Sequence, residues 1–213
     1  MADRLRVGVL ASGGGTNLQA IIDNCASGKI DADVVVVISD VECGALARAR
    51  KAGIPAEHID RRDKARYPTR EAFDRALLQR LRAHDAQLVC LAGYLRIMTP
   101  ELVDAYAGRM MNTHPALLPA FGGEDMWGHH VHEAVLEYGC KVSGCTIHFV
   151  SLETDGGPII LQRAVPVEED DTAETLAARI LPHEHNLFPR AIQLFAEGRL
   201  KIEGRRVRIL PAS

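Results

Sequence analysis

The chain has 213 residues, 47% of them hydrophobic and 25% charged, with a formal net charge of −3. That length can bury most of the surface its unfolded form exposes, in one large domain or at most two small ones. The near-balanced charge, with no basic run longer than pairs such as Arg61-Arg62 and Arg205-Arg206, argues against a nucleic-acid or membrane-surface partner. Five cysteines (Cys25, Cys43, Cys90, Cys140 and Cys145) are scattered without a C-x-x-C. Their spacing supports neither a disulfide framework nor a zinc site, and a reducing cytoplasm is the expected setting. The start, MADRLRVGVLASGGG, lacks the long apolar core of a signal peptide, and the longest apolar run, DVVVVIS, is too short to span a bilayer.

In chain order, LRVGVLAS reads as a strand, the glycines after it as a turn, and NLQAIIDNCASG as a helix. ADVVVVISD has apolar residues at consecutive positions, which predicts a strand buried on both faces and hence a parallel sheet. ALARARKAG follows as a helix ended by Gly53, PAEHID as a short strand, and TREAFDRALLQRLRAHD as a strong helix. Thr69 is that helix's expected N-cap and Glu71 lies in its first turn. AQLVCLAGY is another buried strand, with Cys90 as core packing. The second half gives a short helix in PELVDAYAG, a strand in MMNTHP, a glycine-rich loop in FGGEDMWGHH and a helix in HEAVLEYG. SGCTIHFV and IILQRAVPV read as strands joined by the loop SLETDGGP. A long helix is expected from about Ala173 to Glu197, then a hairpin in LKIEGRRVRIL. The alternation predicts a single-domain α/β fold over residues 1–213, an open, doubly wound, mostly parallel sheet with helices on both faces.

Ligands of such sheets bind beyond the carboxyl ends of the strands. ASGGGTNLQAI opens a helix there, and backbone N–H groups at a helix start suit an anion. The run is neither a Walker A loop nor a dinucleotide fingerprint, since Leu18 holds the third glycine position. A plain tight turn is the competing reading, and Gly15, Thr16 and Asn17 tilt it toward a phosphate. Asp40, at the end of the second strand, is either a ribose ligand or the start of a turn. In MMNTHP, Asn112 and His114 share a face because strand residues i and i+2 point the same way. With Asp155 beside two glycines, they fit the chemistry of an acyl carbonyl under attack. Donors stabilise the oxyanion, and a carboxylate holds the imidazole protonated. His148 either supports Asp155 or fills the core. His129, His130 and His132 of GHHVHE lack the nearby carboxylate-cysteine set that would argue for a metal, so no metal is expected.

The segments SGGGTNLQAI, LAGYLRIMTP, NTHPALLPAF, VSGCTIHFV and DGGPIILQ, in this order along nearly the whole chain, resemble the phosphoribosylglycinamide formyltransferases, the folate-dependent transformylases of purine synthesis. The resemblance implies transfer of a formyl group from 10-formyltetrahydrofolate, the co-substrate, to the amine of glycinamide ribonucleotide. It implies Asn112, His114 and Asp155 as the catalytic trio, with His114 the proton donor. Gly15, Thr16 and Asn17 would hold the substrate phosphate, and Glu184 its ribose. Arg70, Leu95, Arg96, Ile97, Met98, Asn112 and the loop Ser151, Leu152, Glu153, Thr154 and Asp155 would frame the folate. Between Phe121 and His132 the chain departs from the family's shorter loop, and no residue role carries over there.

Two other functions share parts of this pattern. Formyltetrahydrofolate hydrolase uses the same trio with water in place of the amine, but carries an extra N-terminal domain, whereas here the first strand begins at residue 5. A non-catalytic nucleotide-binding module has no use for an Asn-His-Asp set at strand ends. Methionyl-tRNA formyltransferase requires an added domain and a basic surface. The expected partners are small molecules, and a homo-oligomer stays open.

Overall fold

The computed structural model describes residues 4–212, and the chain divides into two compact units, Met1–Met111 and Asn112–Ser213. In the first, β1 (Leu5–Leu10), α1 (Thr16–Ala26), β2 (Ala32–Ser39), α2 (Gly44–Lys51), β3 (Ala56–His58), α3 (Arg70–Ala83), β4 (Leu88–Leu91) and α4 (Pro100–Ala105) follow the alternation read from the sequence. The strand order is β3-β2-β1-β4, and β1 with β2, β1 with β4 and β2 with β3 all pair in parallel. The last four residues of β1 and all four of β4 are buried, as strands covered on both faces require.

The chain steps outward from β1 to β3, then returns through α3 to β4 on the other side of β1. Right-handed crossovers therefore place α1 and α2 on one face and α3 on the opposite face. The unit is doubly wound, with its switch point at the carboxyl ends of β1 and β4. Thr69 caps α3, its side chain accepting from the Ala72 N–H at 3.1 Å, with Glu71 in the first turn. Gly8 lets α3 close onto β1, since a Cβ there would stand 2.6 Å from Leu81 Cδ2 and 3.1 Å from Ala86 Cβ.

β5 (Met110–His114) crosses the division. After it come α5 (His129–Glu137), β6 (Val142–Phe149), β7 (Ile159–Pro166), α6 (Ala173–Ala196), β8 (Leu200–Glu203) and β9 (Arg206–Ile209), in strand order β5-β6-β7-β9-β8. Here the pairing is mixed. The short loop between β6 and β7 can only turn the chain back, so they pair antiparallel, whereas the 24-residue α6 carries a crossover that leaves β9 parallel to β7. β8 and β9 form the expected hairpin. Val135, Cys145, Val165, Leu176 and Ile180 form one core cluster of this unit, with Phe121, Leu136 and Leu187 packed against it. α6 starts on a capping box, Thr172 and Thr175 exchanging side-chain-to-backbone hydrogen bonds.

Expected boundaries move at β4, which ends at Leu91 and not at Tyr94, and at α5. α5 begins at His129, three residues before the predicted helix, which puts His129 and His130 on its first turn and not in a loop. Gly128, at φ 54° and ψ −129°, redirects the chain just before it, and the helix starts as soon as that bend is complete. All five cysteines are free thiols. Burial pushes the Cys25 thiol up to about 11; Cys90 is fully buried and also pushed up. Among the described residues no helix is long and apolar enough to cross a membrane.

Gly8→Ala should destabilise the protein by about 1–3 kcal/mol, the usual cost of forcing an extra methyl into a filled core. Urea unfolding measures this directly; an unchanged midpoint would mean that α3 does not press on β1 as described.

Candidate active site

At the end of β5, His114 is 3% exposed. Its Nδ1 lies 3.4 Å from Asp155 Oδ2 and its Nε2 lies 2.6 Å from the Phe121 carbonyl oxygen. Each ring nitrogen thus faces an oxygen acceptor, and a ring with a proton on both nitrogens serves both contacts. Asp155 sits in the turn between β6 and β7 with φ at +54°, a left-handed conformation that Asp tolerates better than most residues. Its Oδ2 also accepts the Gly123 N–H at 3.1 Å, so one carboxylate oxygen holds both the imidazole and the loop beyond β5.

His148, on β6, is 2% exposed. Burial pushes it below the ordinary imidazole value, against the opposing pull of the Phe149 carbonyl and Asp155; the positive charge of His114 would depress it further. The ring is therefore neutral near pH 7. Its Nδ1–H donates to the Phe149 carbonyl at 2.9 Å, which leaves Nε2 as an acceptor for the Asn112 amide at 3.3 Å. With no proton on Nε2, its 3.6 Å approach to Asp155 Oδ1 is not a hydrogen bond. His148 thereby fixes one N–H of Asn112 and leaves the second for another acceptor. Of the sequence-predicted residues in this unit, the structure brings Asn112, His114, Asp155 and His148 together. Glu184 is buried on α6, and its charge adds to the burial that pushes the Cys145 thiol up to about 12. Leu152, Glu153 and Thr154 are exposed on the loop ahead of Asp155, where Ser151 Oγ donates to the Glu153 carbonyl at 3.0 Å.

In the first unit, Gly15 is the N-cap of α1 at φ +75°, with no side-chain cap and no acidic residue in the first turn, so the helix's leading N–H groups meet no competing carboxylate there. A Cβ on Gly15 would stand 2.6 Å from Ala45 Cα, whereas Gly13 and Gly14 face open space. Gly15 is therefore required by the approach of α2, and the room for a ligand is beside Gly13 and Gly14. Thr16 is exposed and Asn17 half-buried. Asp40 does not hold a ribose: it is 1% exposed and its oxygens take the Ser12 hydroxyl at 2.7 Å and Arg96 Nε at 2.9 Å. Arg70 is the exposed first residue of α3. One turn later, buried Asp74 accepts the Thr99 N–H at 2.5 Å, which ties this helix to the end of the Leu95–Met98 segment. Leu95 and Ile97 are 51% and 44% exposed.

A model of the formyl transferase family matches residues 5–192. The chain belongs to the formyl transferase family. It is 42% identical over 199 residues to the phosphoribosylglycinamide formyltransferase of Escherichia coli K12, covering 93% of this chain and 90% of that one. Against the trifunctional purine biosynthetic protein adenosine-3 of Bos taurus it is 44% identical over 200 residues, and the match spans only 19% of that longer protein. The crystal structure of glycinamide ribonucleotide transformylase 1 from Symbiobacterium toebii superposes with a TM-score of 0.92 at 54% identity, over 99% of this chain and 96% of that one. The α/β class read from the sequence is thus the fold of this formyl transferase.

The formyl transferase's loop from Phe121 to Gly128 is where sequence reasoning stopped short, and it touches the trio twice, through the Phe121 carbonyl and the Gly123 N–H. The signal was present in the FGG run: a Cβ on Gly122 would stand 2.6 Å from Leu118 Cδ2 and 3.2 Å from Asp155 Cβ. His132, on the buried side of α5, is 4% exposed, with Nδ1 lacking a hydrogen-bond partner among the described residues. Burial, then the charges of His129 and His114, push it down to about 4. Among the described residues no group of three or more His, Cys, Asp or Glu could hold a metal ion.

A histidine neutral in the folded state but ordinary when unfolded costs stability once the unfolded chain starts to take up its proton. That begins below the unfolded value of about 6.5 and continues down to the folded one. Between pH 7 and pH 5 the His132 contribution should fall by about 2 kcal/mol. Denaturant unfolding at the two pH values should show a visibly smaller loss in His132→Gln, and equal losses in both proteins would contradict a neutral, buried His132.

Proposed function

We propose that this formyl transferase moves the formyl group of 10-formyltetrahydrofolate onto the amine of glycinamide ribonucleotide, within purine synthesis in the cytoplasm, with residues 1–213 working as one formyltransferase domain. The observation that carries this reading is the buried His114–Asp155 pair at the end of β5, with Asn112 two residues before it. The names of the relatives support the choice of substrate.

The chemistry follows from the donors. The substrate amine attacks the formyl carbon, and the carbonyl oxygen takes up negative charge. The free N–H of Asn112 and a protonated His114 stabilise that oxygen, as preorganised donors do for other tetrahedral intermediates. To reach it, Nε2 of His114 gives up the Phe121 carbonyl as its acceptor. When the intermediate collapses, the bond from carbon to the folate nitrogen breaks, the folate nitrogen takes a proton, and the attacking nitrogen loses one. His114 passes that proton, and Asp155 compensates the charge on the ring throughout. His148 holds Asn112 in place from a position that stays neutral.

Gly15, Thr16 and Asn17 at the start of α1 take the ribonucleotide phosphate, with backbone N–H groups and the helix dipole favouring a dianion; Glu184 takes its ribose. Arg70, Leu95, Arg96, Ile97 and Met98, with Asn112 and the loop Ser151–Asp155, take the folate. The exposed Leu95 and Ile97 supply apolar surface to its ring system. Both substrates are small molecules, and no metal takes part in these steps.

Hydrolysis of the folate by the same trio, with water as nucleophile, is what the assay must separate. Incubation with 10-formyltetrahydrofolate should give little deformylation alone and rapid deformylation once glycinamide ribonucleotide is added, with formylated product in equal amount. Equal folate breakdown with and without the ribonucleotide would establish a hydrolase instead.

A further inference from the structure

The carboxylate of Asp40 stands at the end of β2, outside every role assigned above, yet it is 1% exposed. Burying a charge is costly unless it is paired and hydrogen-bonded, and Asp40 is both. Its Oδ1 accepts the Ser12 hydroxyl at 2.7 Å. Its Oδ2 accepts Arg96 Nε at 2.9 Å and has Arg61 Nε at 3.7 Å. The Ser12 hydroxyl in turn accepts the Leu95 N–H at 3.4 Å, and the Ser12 N–H donates to the Gly93 carbonyl at 2.9 Å.

Two consecutive residues of the segment after β4 therefore hang on this one side chain: Leu95 through the Ser12 hydroxyl, and Arg96 directly. The segment from Leu95 to Met98 has no regular secondary structure of its own. Its far end is held by a second buried carboxylate, Asp74, through the Thr99 N–H. Half-exposed apolar residues in an irregular segment keep one conformation only if their backbone is held from beneath, and these two carboxylates do so. Ser12 is also the residue that opens the glycine loop, so Asp40 joins the entrance of that loop to the folate segment. With two guanidiniums around one carboxylate, the cluster keeps one positive charge in excess, and 36% of the Arg96 side chain is open to solvent.

We propose that Asp40 is a positioning residue for folate binding, setting the Leu95–Met98 segment through Arg96 and Ser12. This rests on the reading of that segment as the folate-binding one. Asp40 touches neither substrate; its effect passes chiefly through Arg96 and in smaller part through Ser12, and that dependence is what separates it from a residue of merely structural importance.

The test is a cycle of Asp40→Ala, Arg96→Ala and the double variant in the full-length enzyme. The Michaelis constants for 10-formyltetrahydrofolate and glycinamide ribonucleotide are read separately from kcat. Asp40→Ala should raise the folate constant about 10- to 100-fold, the range for lost hydrogen bonds to a charged group, and the ribonucleotide constant much less. In the Arg96→Ala background the same change should cost under about 3-fold, because residues acting as a unit are not additive. Ser12→Ala, which leaves the ion pair intact, should raise the folate constant by a smaller factor and supplies the same reading if Asp40→Ala does not fold. An unchanged folate constant in Ser12→Ala and Asp40→Ala, or an equal Asp40→Ala penalty with and without Arg96, would overturn the proposal. Wild-type enzyme that binds no folate would overturn the functional reading beneath it, and that control is run first.

Discussion

The site is organised by a carboxylate and an imidazole buried against each other. Asp155 and His114 have side chains 10% and 4% exposed, at 3.4 Å. Such a pair is expensive to desolvate, and the structure offsets that cost with further hydrogen bonds: the Gly123 N–H on the carboxylate and the Phe121 carbonyl on the far ring nitrogen. The surrounding features are arranged to satisfy this pair. The left-handed turn at Asp155 aims its carboxylate at β5. Gly122 leaves room where any side chain would strike Leu118 and crowd Asp155. His148, the second imidazole near the same carboxylate, is kept neutral by burial, so it does not compete with His114 as a charged partner of Asp155.

The first unit applies the same rule to a different end. Asp40 and Asp74 are buried carboxylates whose partners are backbone N–H groups, a hydroxyl and guanidiniums of the segments around them. Each is worth little as an isolated pair, but removing one would leave an uncompensated donor or charge in the interior. Buried polar groups of this kind fix where irregular segments lie, which hydrophobic packing alone does poorly because it has no direction. An enzyme that must hold two substrates on loops has reason to fix loops this way.

The periodic elements were legible in the sequence because their signals are local. Consecutive apolar residues in VVVVIS mark a strand covered on both faces, and Thr69 with Glu71 marks a helix start. The proximity of Asn112 and His114 was legible too, from the period of two in a strand. What could not be read depended on contacts between distant residues. Asp40 looked like a turn starter or a ribose ligand because its partners, Arg96 and Ser12, lie 56 and 28 residues away in sequence. The Phe121–Gly123 loop reaches the trio through a carbonyl and an N–H, and backbone groups leave no mark in residue identity. That Gly15 is also required by the approach of Ala45 is a contact between distant residues that the sequence does not show. The start of α5 was misplaced because Gly128 adopts a bend that a glycine permits but does not announce.

If His114 and Asp155 act as one device, removing either should remove nearly all that both supply. The most direct measurement is kcat for Asp155→Asn, His114→Ala and the double variant, at saturating folate and ribonucleotide, with thermal unfolding confirming each fold. Asparagine keeps the shape of Asp155 and tolerates its left-handed backbone, so that change isolates the charge. Each single change should lower kcat by about 10²- to 10⁴-fold, the range for lost acid–base assistance, and the double variant should be little worse than either. Losses that multiply in the double variant would show that the two residues work separately, and would contradict the buried pair as the catalytic unit.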